Sequence, residues 1–409
     1  MVNNSPLAMK PSRVRQAVSS NGSANSPVPT DLRKLALYFL RLGTLGFGGP
    51  IALVGYMQKD LVENRKWFSQ EDYLQGLAFC QLSPGPLAAQ LAIYLGWLQA
   101  GVLGGSLTGI AFILPSFLMV VGLAELYVRF GSLQWIQGAF YGIGAAVIAI
   151  IARSSVKLLR VTIGRDWILW TAFIVMAITT AWKESEIVWL FVLCGVIVML
   201  VKAPPKWTGQ RLLPIALPNF GRLVTGVHGV AALGTIGTLF FFFAKAGAFV
   251  FGSGLAIVPF LYSGVVRDFH WLTERQFVDA VAVAMITPGP IVITAGFIGY
   301  LVAGMMGAVA AAFAVFAPPY FFVLLGAPYY RRFSSVPQVK AFVQGVSAAA
   351  VGAIAGAAYI LARRSLIDLA SVLIALLTFA VLTLTKKIPE PFLILAAGVV
   401  GIALRGNLR

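Results

Sequence analysis

The chain has 409 residues, 59% of them hydrophobic and 11% charged, and a formal net charge of +17. That composition excludes a soluble globular domain and a disordered chain. Apolar runs recur from about Asp31 to Leu404, many near the roughly 20 residues that a spanning helix needs, so the chain reads as a polytopic membrane protein.

Lipid cannot satisfy free backbone N–H and C=O groups, so the spans are expected to be helical. The alternating pattern of a membrane β-barrel is absent. The Lys and Arg residues mostly flank apolar segments, where they serve as topology signals and head-group contacts. The same excess attracts an anionic substrate, and no nucleic-acid partner is implied.

Residues 1–30 are polar and lack the apolar core of a signal peptide. They are expected as a disordered tail, held on the cytoplasmic side by Lys10, Arg13 and Arg15. Six helical segments follow, at about 32–56, 72–98, 101–128, 135–160, 166–182 and 187–202. In the first, the stretch GFGGP, Gly46 to Pro50, interrupts the helix near its middle. Glycine frees the backbone and Pro50 removes a donor. The exposed amides of a broken helix form an anion-binding concavity; close helix packing through small residues is the alternative. Arg41 lies ahead of that break, facing a partner or cavity, or snorkelling to the interface. The polar stretch after it carries Glu63, Glu71 and Asp72, which read as gate ion pairs, as proton acceptors or as solvated loop charges.

The second segment contains QLSPGPLAAQ, Gln81 to Gln90. Pro84 disfavours helical geometry at Ser83. Broken backbone at membrane depth is tolerated only where protein buries it or a cavity hydrates it. Cys80 just upstream and Cys194 in the sixth segment are too few for a disulfide framework or metal cluster.

The pattern then repeats. At an offset of 204 residues, Phe39 meets Phe243, Arg41 meets Lys245, Phe47-Gly48 meets Phe251-Gly252, and Pro84-Gly85-Pro86 meets Pro288-Gly289-Pro290. After the PGP motif the offset is 203, matching Pro115 with Pro318 and Tyr127 with Tyr330. The units are 31–202 and 231–409, joined by a linker at 203–230 rich in Pro, Gly and basic residues. In the second unit VFGSG, with Gly252, Ser253 and Gly254, replaces GFGGP, and Thr287 replaces Ser83. Asp279 heads into AVAVAMITPGP and is expected to be semi-buried. Basic residues cluster after the fourth segment of the first unit and the third of the second. By the positive-inside bias the halves then point oppositely, which requires a re-entrant or broken segment in each. Two broken segments at matching places in inverted repeats point to a binding site at the repeat interface.

No zinc-protease, nucleophile-elbow or phosphate-loop motif occurs, so neither an enzyme nor an ATP-driven pump is expected, and no cofactor is implied.

These residues resemble the chromate ion transporter (CHR) family in its two-domain form. The resemblance is carried by FGGP (Phe47 to Pro50), WFSQEDYLQGLAFCQLSPGP (Trp67 to Pro86), QLAIYLG (Gln90 to Gly96) and AFILPSF (Ala111 to Phe117). It implies an all-α, multi-pass inner-membrane protein with two inverted halves, a secondary transporter that exports chromate and confers resistance. It also implies roles for Arg41, Asn64, Glu71 and Gln90. The expected substrate-contacting set is Arg41, Phe47, Gly48, Gly49, Pro50, Ser83, Pro84, Gly85, Pro86, Gln90, Lys245, Gly252, Ser253, Gly254, Thr287, Pro288, Gly289 and Pro290. Asn64, Glu71 and Asp279 are expected to gate or couple. The second half departs at Gly254 (for Pro50) and Thr294 (for Gln90), which breaks strict symmetry of the site. Sulfate shares the shape and charge of chromate, as a competitor or as the substrate of uptake or exchange. An anion channel, and a homodimer in the bilayer, stay open at this stage.

Overall fold

The computed structural model describes residues 31–47, 49–131, 133–183, 188–204, 234–249, 254–330, 336–385 and 388–405. The expected tail, most of the expected linker, and the candidate site residues Gly48, Gly252 and Ser253 lie outside the described residues.

Among the described residues there is no strand. The first repeat comprises α1 (Leu32–Leu45), α2 (Gly49–Met57), α3 (Gln70–Leu82), α4 (Leu87–Phe130), α5 (Gln134–Thr162), α6 (Trp167–Lys183) and α7 (Val188–Lys202). The second repeats that order as α8 (Gly234–Phe249), α9 (Ile257–Tyr262), α10 (Glu274–Ile286), α11 (Thr294–Gly326), α12 (Pro337–Ser365), α13 (Leu369–Leu384) and α14 (Glu390–Arg405). Among the described residues four helices are long and apolar enough to cross a membrane, at Leu87–Phe130, Gln134–Thr162, Ile291–Tyr329 and Pro337–Ser365.

In each half the first two expected segments are broken. α1 stops at Leu45 and the chain restarts as α2, which runs on into a π-helical turn at Gln58–Asn64. The chain then folds back, with the Arg65 guanidinium 5.4 Å from the centre of the Tyr38 ring. α3 opens on Ser69, whose hydroxyl caps the Asp72 amide at 3.0 Å. α10 opens on a full capping box between Thr273 and Gln276. Both end where proline forbids another helical residue: Ser83 and Thr287 are extended, with ψ 139° and 141°. α3 and the start of α4 then form a re-entrant hairpin, with the Phe79 and Tyr94 rings 6.0 Å apart.

α4 is two arms rather than one rod. Ala100 and Gly101 leave helical geometry, and Gly101 takes φ +62°, a region costly for any residue with a Cβ. The chain reverses there, and the Thr108 hydroxyl donates back to the Ala92 carbonyl at 2.8 Å. Gly304 (φ +61°) turns α11 in the same way.

The long arms of α4 and α11 cross antiparallel at the centre. Ser106, early in the first, meets Tyr320, late in the second, with hydroxyl oxygens 2.5 Å apart. Glu125, late in α4, accepts from Tyr300, beside the α11 turn. Equivalent elements therefore run in opposite directions, and the repeats are inverted.

The repeats also interlock. α12 packs on α6 and α7 of the first repeat, and α5 packs on α13 and α14 of the second. The largest buried side chains, among them Phe39, Tyr73, Phe112, Phe243, Phe277 and Phe297, fill one core that both repeats share. Within lipid that packing acts through dispersion and close contact rather than water exclusion.

Candidate functional site

Four helical runs restart after the four breaks: α2 at Gly49, α4 at Leu87, and the 3-10 turns at Gly254–Ala256 and Ile291–Ile293. Residues from all four starts (Gly49, Pro50, Leu87, Leu255 and Ile291) line a single pocket of about 440 Å³. A helix start carries unpaired amides and a partial positive charge. The pocket is further lined by Arg153 and Lys157 of α5, Gln344 and Ser347 of α12, and Glu390 of α14. It extends to Val161 and Thr162 in the last turn of α5. Two cations and several helix starts, with one carboxylate, make a cavity suited to an anion.

The expected site residues distribute unevenly around it. Gly49 and Pro50 touch the pocket. Ser83, Gln90, Thr287 and Thr294 are buried and engaged by the chain itself. Gln90 Nε2 donates to the Pro84 carbonyl at 2.7 Å and to the Ser83 hydroxyl at 3.3 Å. The Thr287 hydroxyl donates to the carbonyls of Val283 and Ala284, each at 3.1 Å. The glycines of the two PGP motifs sit where the halves cross: a Cβ on Gly85 would fall 2.7 Å from Pro319 Cβ, and one on Gly289 would fall 1.9 Å from Ser116 Oγ. Pro84, Pro86, Pro288 and Pro290 flank those glycines in the chain, and Gly254 packs beside Ile291.

Arg41 lines a different cavity, of about 710 Å³, with Lys34, Tyr38, Phe47, Asp60, Arg65 and Trp67. Its partner by repeat, Lys245, acts on Asp268 in the polar connection, whose carboxyl burial pushes up while Lys245 and His270 pull it down. Asn64 donates to Asp60 at 3.3 Å and Glu71 accepts from Gln75 at 2.9 Å.

Asp279 is 3% exposed and accepts from the Tyr127 hydroxyl at 2.8 Å. It lines a smaller pocket of about 260 Å³ with Tyr141, Glu274, Arg275 and Arg364. There Arg364 pairs with Glu274, and Arg275 donates to the Gln137 carbonyl at 3.3 Å. This pocket lies at the opposite end of α5 from the one lined by Arg153 and Lys157. The two are related by the internal repeat, since Val343, Gln344 and Ser347 correspond to Phe140, Tyr141 and Gly144.

In the sequence Arg153 and Lys157 belong to the basic cluster that follows the fourth apolar segment, where they look like topology signals. The signal that singles them out is asymmetry: their repeat partners are Gly356 and Ile360, so architecture alone does not require them.

Inverted, interlocked repeats with broken helices, and matching cavities at opposite ends of the bundle, define a multi-pass α-helical transport protein. Comparison with known proteins takes the assignment further. A family profile described as chromate transporter matches residues 33–199 and 237–402. The chain is 53% identical over 381 residues to a chromate transport protein of Cupriavidus metallidurans, covering 93% of this chain and 95% of that one. It is 53% identical to a probable chromate transport protein of Synechococcus elongatus (91% and 95% covered). A chromate transport protein of Pseudomonas aeruginosa is 31% identical (92% and 93% covered). No solved structure matches. The chain belongs to the chromate transporter family: it is a multi-pass protein of the inner membrane and a transporter rather than an enzyme.

Proposed function

We propose that the protein is a secondary transporter that carries chromate out of the cytoplasm and so confers resistance to it. The observation that carries this reading is the convergence of the restarted helices with Arg153 and Lys157 on one cavity. Aligned amides and cations bind a tetrahedral dianion without needing a proton from it. The names of the relatives agree in substrate.

Direction follows from charge. The end of the bundle on which the pocket of Arg153 and Lys157 lies carries Lys157, Arg160, Arg165, Lys202 and Lys340. By the positive-inside bias that end faces the cytoplasm, so the occupied state would load there. Arg41 and Lys245 then add to the field that draws anions to the protein. The PGP crossings act as the rigid fulcrum about which one half moves against the other. Asn64, Glu71 and Asp279 belong to the polar connections and to the far pocket that must open for release.

Inside-out membrane vesicles test this. Energised accumulation of labelled chromate, inhibited by excess sulfate, is expected. No accumulation there, with sulfate entry into right-side-out vesicles, would replace export by uptake; a unitary current in planar bilayers would replace the carrier by a channel.

A further inference from the structure

Arg153 and Lys157 lie one helical turn apart on α5, so both side chains leave the same face. Both line the pocket of about 440 Å³, and so does Glu390, the first residue of α14. Glu390 is the one carboxylate among the pocket's lining residues. Arg153 Nη1 stands 3.7 Å from Glu390 Oε1, with the side chains 27% and 30% exposed. At that distance the pair is electrostatic but not closed as a hydrogen bond. The cation and carboxylate face the cavity rather than burying one another. The three charges sum to one excess positive charge, and replacing the carboxylate by a dianion makes the set neutral.

We propose that Arg153 and Lys157 are the cationic half of the oxyanion site, and that Glu390 is a tethered anion that takes the substrate's place between cycles. The inference rests on the oxyanion-transporter reading and names the groups of that site. An arriving tetrahedral dianion takes over Arg153 and Lys157 and leaves Glu390 unpaired at the cavity edge. When the pocket opens on the far side, Glu390 returns to Arg153 and competes the anion off. The tether trades affinity for release: without it the site holds its anion more tightly and turns over more slowly.

The test uses the full-length protein in lipid nanodiscs, with labelled sulfate and labelled chromate as probes, and the same variants in inside-out vesicles. Glu390→Gln keeps the shape of the side chain and removes its charge. It is expected to lower the dissociation constant and KM about fivefold, the effect of deleting one partly solvated charge interaction, and to lower the maximal rate. Arg153→Gln is expected to raise the dissociation constant at least as much, and Arg153→Lys to restore part of it. A weaker-binding Glu390→Gln protein with unchanged melting temperature overturns the tether. If Arg153→Gln fails to accumulate in the membrane, Glu390→Gln alone decides. Wild-type protein that binds neither anion refutes the oxyanion reading itself. Wild-type binding that is unaltered by all three variants refutes only this site.

Discussion

The amide of Gly289, in the second repeat, donates to the carbonyl of Gly46, in the first, at 3.0 Å. The PGP break of one half is thus pinned to the helix break of the other. Gly289 holds φ +100° and leaves no room for a side chain, with Ser116 Oγ where a Cβ would sit. Gly289→Ala is therefore expected to lower the melting temperature of the solubilised protein and abolish transport. Overpacking of this kind costs about 1–3 kcal/mol, to which the unfavourable φ adds. Gly55→Ala is the control, since nothing lies within 4 Å of its added methyl. Ser116→Gly in the Gly289→Ala background removes the clash but not the strain, so it should recover part of the lost stability. Equal melting of Gly289→Ala and wild type would show that this crossing tolerates volume.

Much of this was legible in the sequence. The duplication, the breaks at FGGP and PGP, and the boundary between the second and third segments near residue 100 all follow from glycine, proline and the internal alignment. The interlocking of repeats was not legible, because α5 and α12 present similar small-residue faces that fit the helices of either half. The pocket's charges were hidden for another reason. Arg153 and Lys157 follow an apolar run, where positive residues ordinarily mark a membrane boundary; only the fold brings that turn of α5 over the breaks. The hydroxyls of Ser83 and Thr287 pointed to a ligand in sequence because they flank the breaks. In the structure the Thr287 hydroxyl donates to its own helix, as hydroxyls beside a helix end often do, and the Ser83 hydroxyl accepts from Gln90 on α4.

The connection between α5 and α6 carries a measurable pH dependence. Asp166 caps α6 through the amide of Ile168 at 3.1 Å and pairs with Lys202 at the end of α7. That ammonium and those amides hold the carboxyl below the usual aspartate range. A carboxylate depressed in the folded state contributes stability above its unfolded pKa of about 3.9, and loses it as pH falls through the lower folded value. The pair is a quarter to a third exposed, so roughly 0.5–1 kcal/mol is expected. Asp166→Asn should melt lower than wild type at neutral pH, and the difference should shrink as pH falls below about 3.9 and vanish below the folded value. Asp166→Ala should cost about 1 kcal/mol more, through the lost cap. A difference that stays constant across that range would show that ionisation of Asp166 is not its source.

The far pocket is held by contacts that have no counterpart at the matching positions of the near one. Glu274 pairs with Arg364 and accepts from the Tyr262 hydroxyl at 3.2 Å, while Tyr127 holds Asp279. The repeat partners of Glu274, Asp279 and Arg364 are Gln70, Gln75 and Val161, which form no ion pair. The Glu274–Arg364 pair, which has no counterpart at the matching positions of the other half, thus helps to close the far end and biases the protein toward the state in which the pocket lined by Arg153 and Lys157 is open. Glu274→Gln removes the latch's carboxylate without changing its size. It should shift the equilibrium toward opening at that end by roughly 1 kcal/mol, about a fivefold change in population. A cysteine at Ser365, which lines this pocket, reports the shift. Its modification by a membrane-impermeant maleimide from that side should speed up several-fold in the Glu274→Gln background. The native thiols of Cys80 and Cys194 are buried and add little background. Chromate transport in the same variant should lose maximal rate, because the return to the loading state slows. An unchanged labelling rate would mean that the far side is closed by helix packing, with the ion pair a bystander.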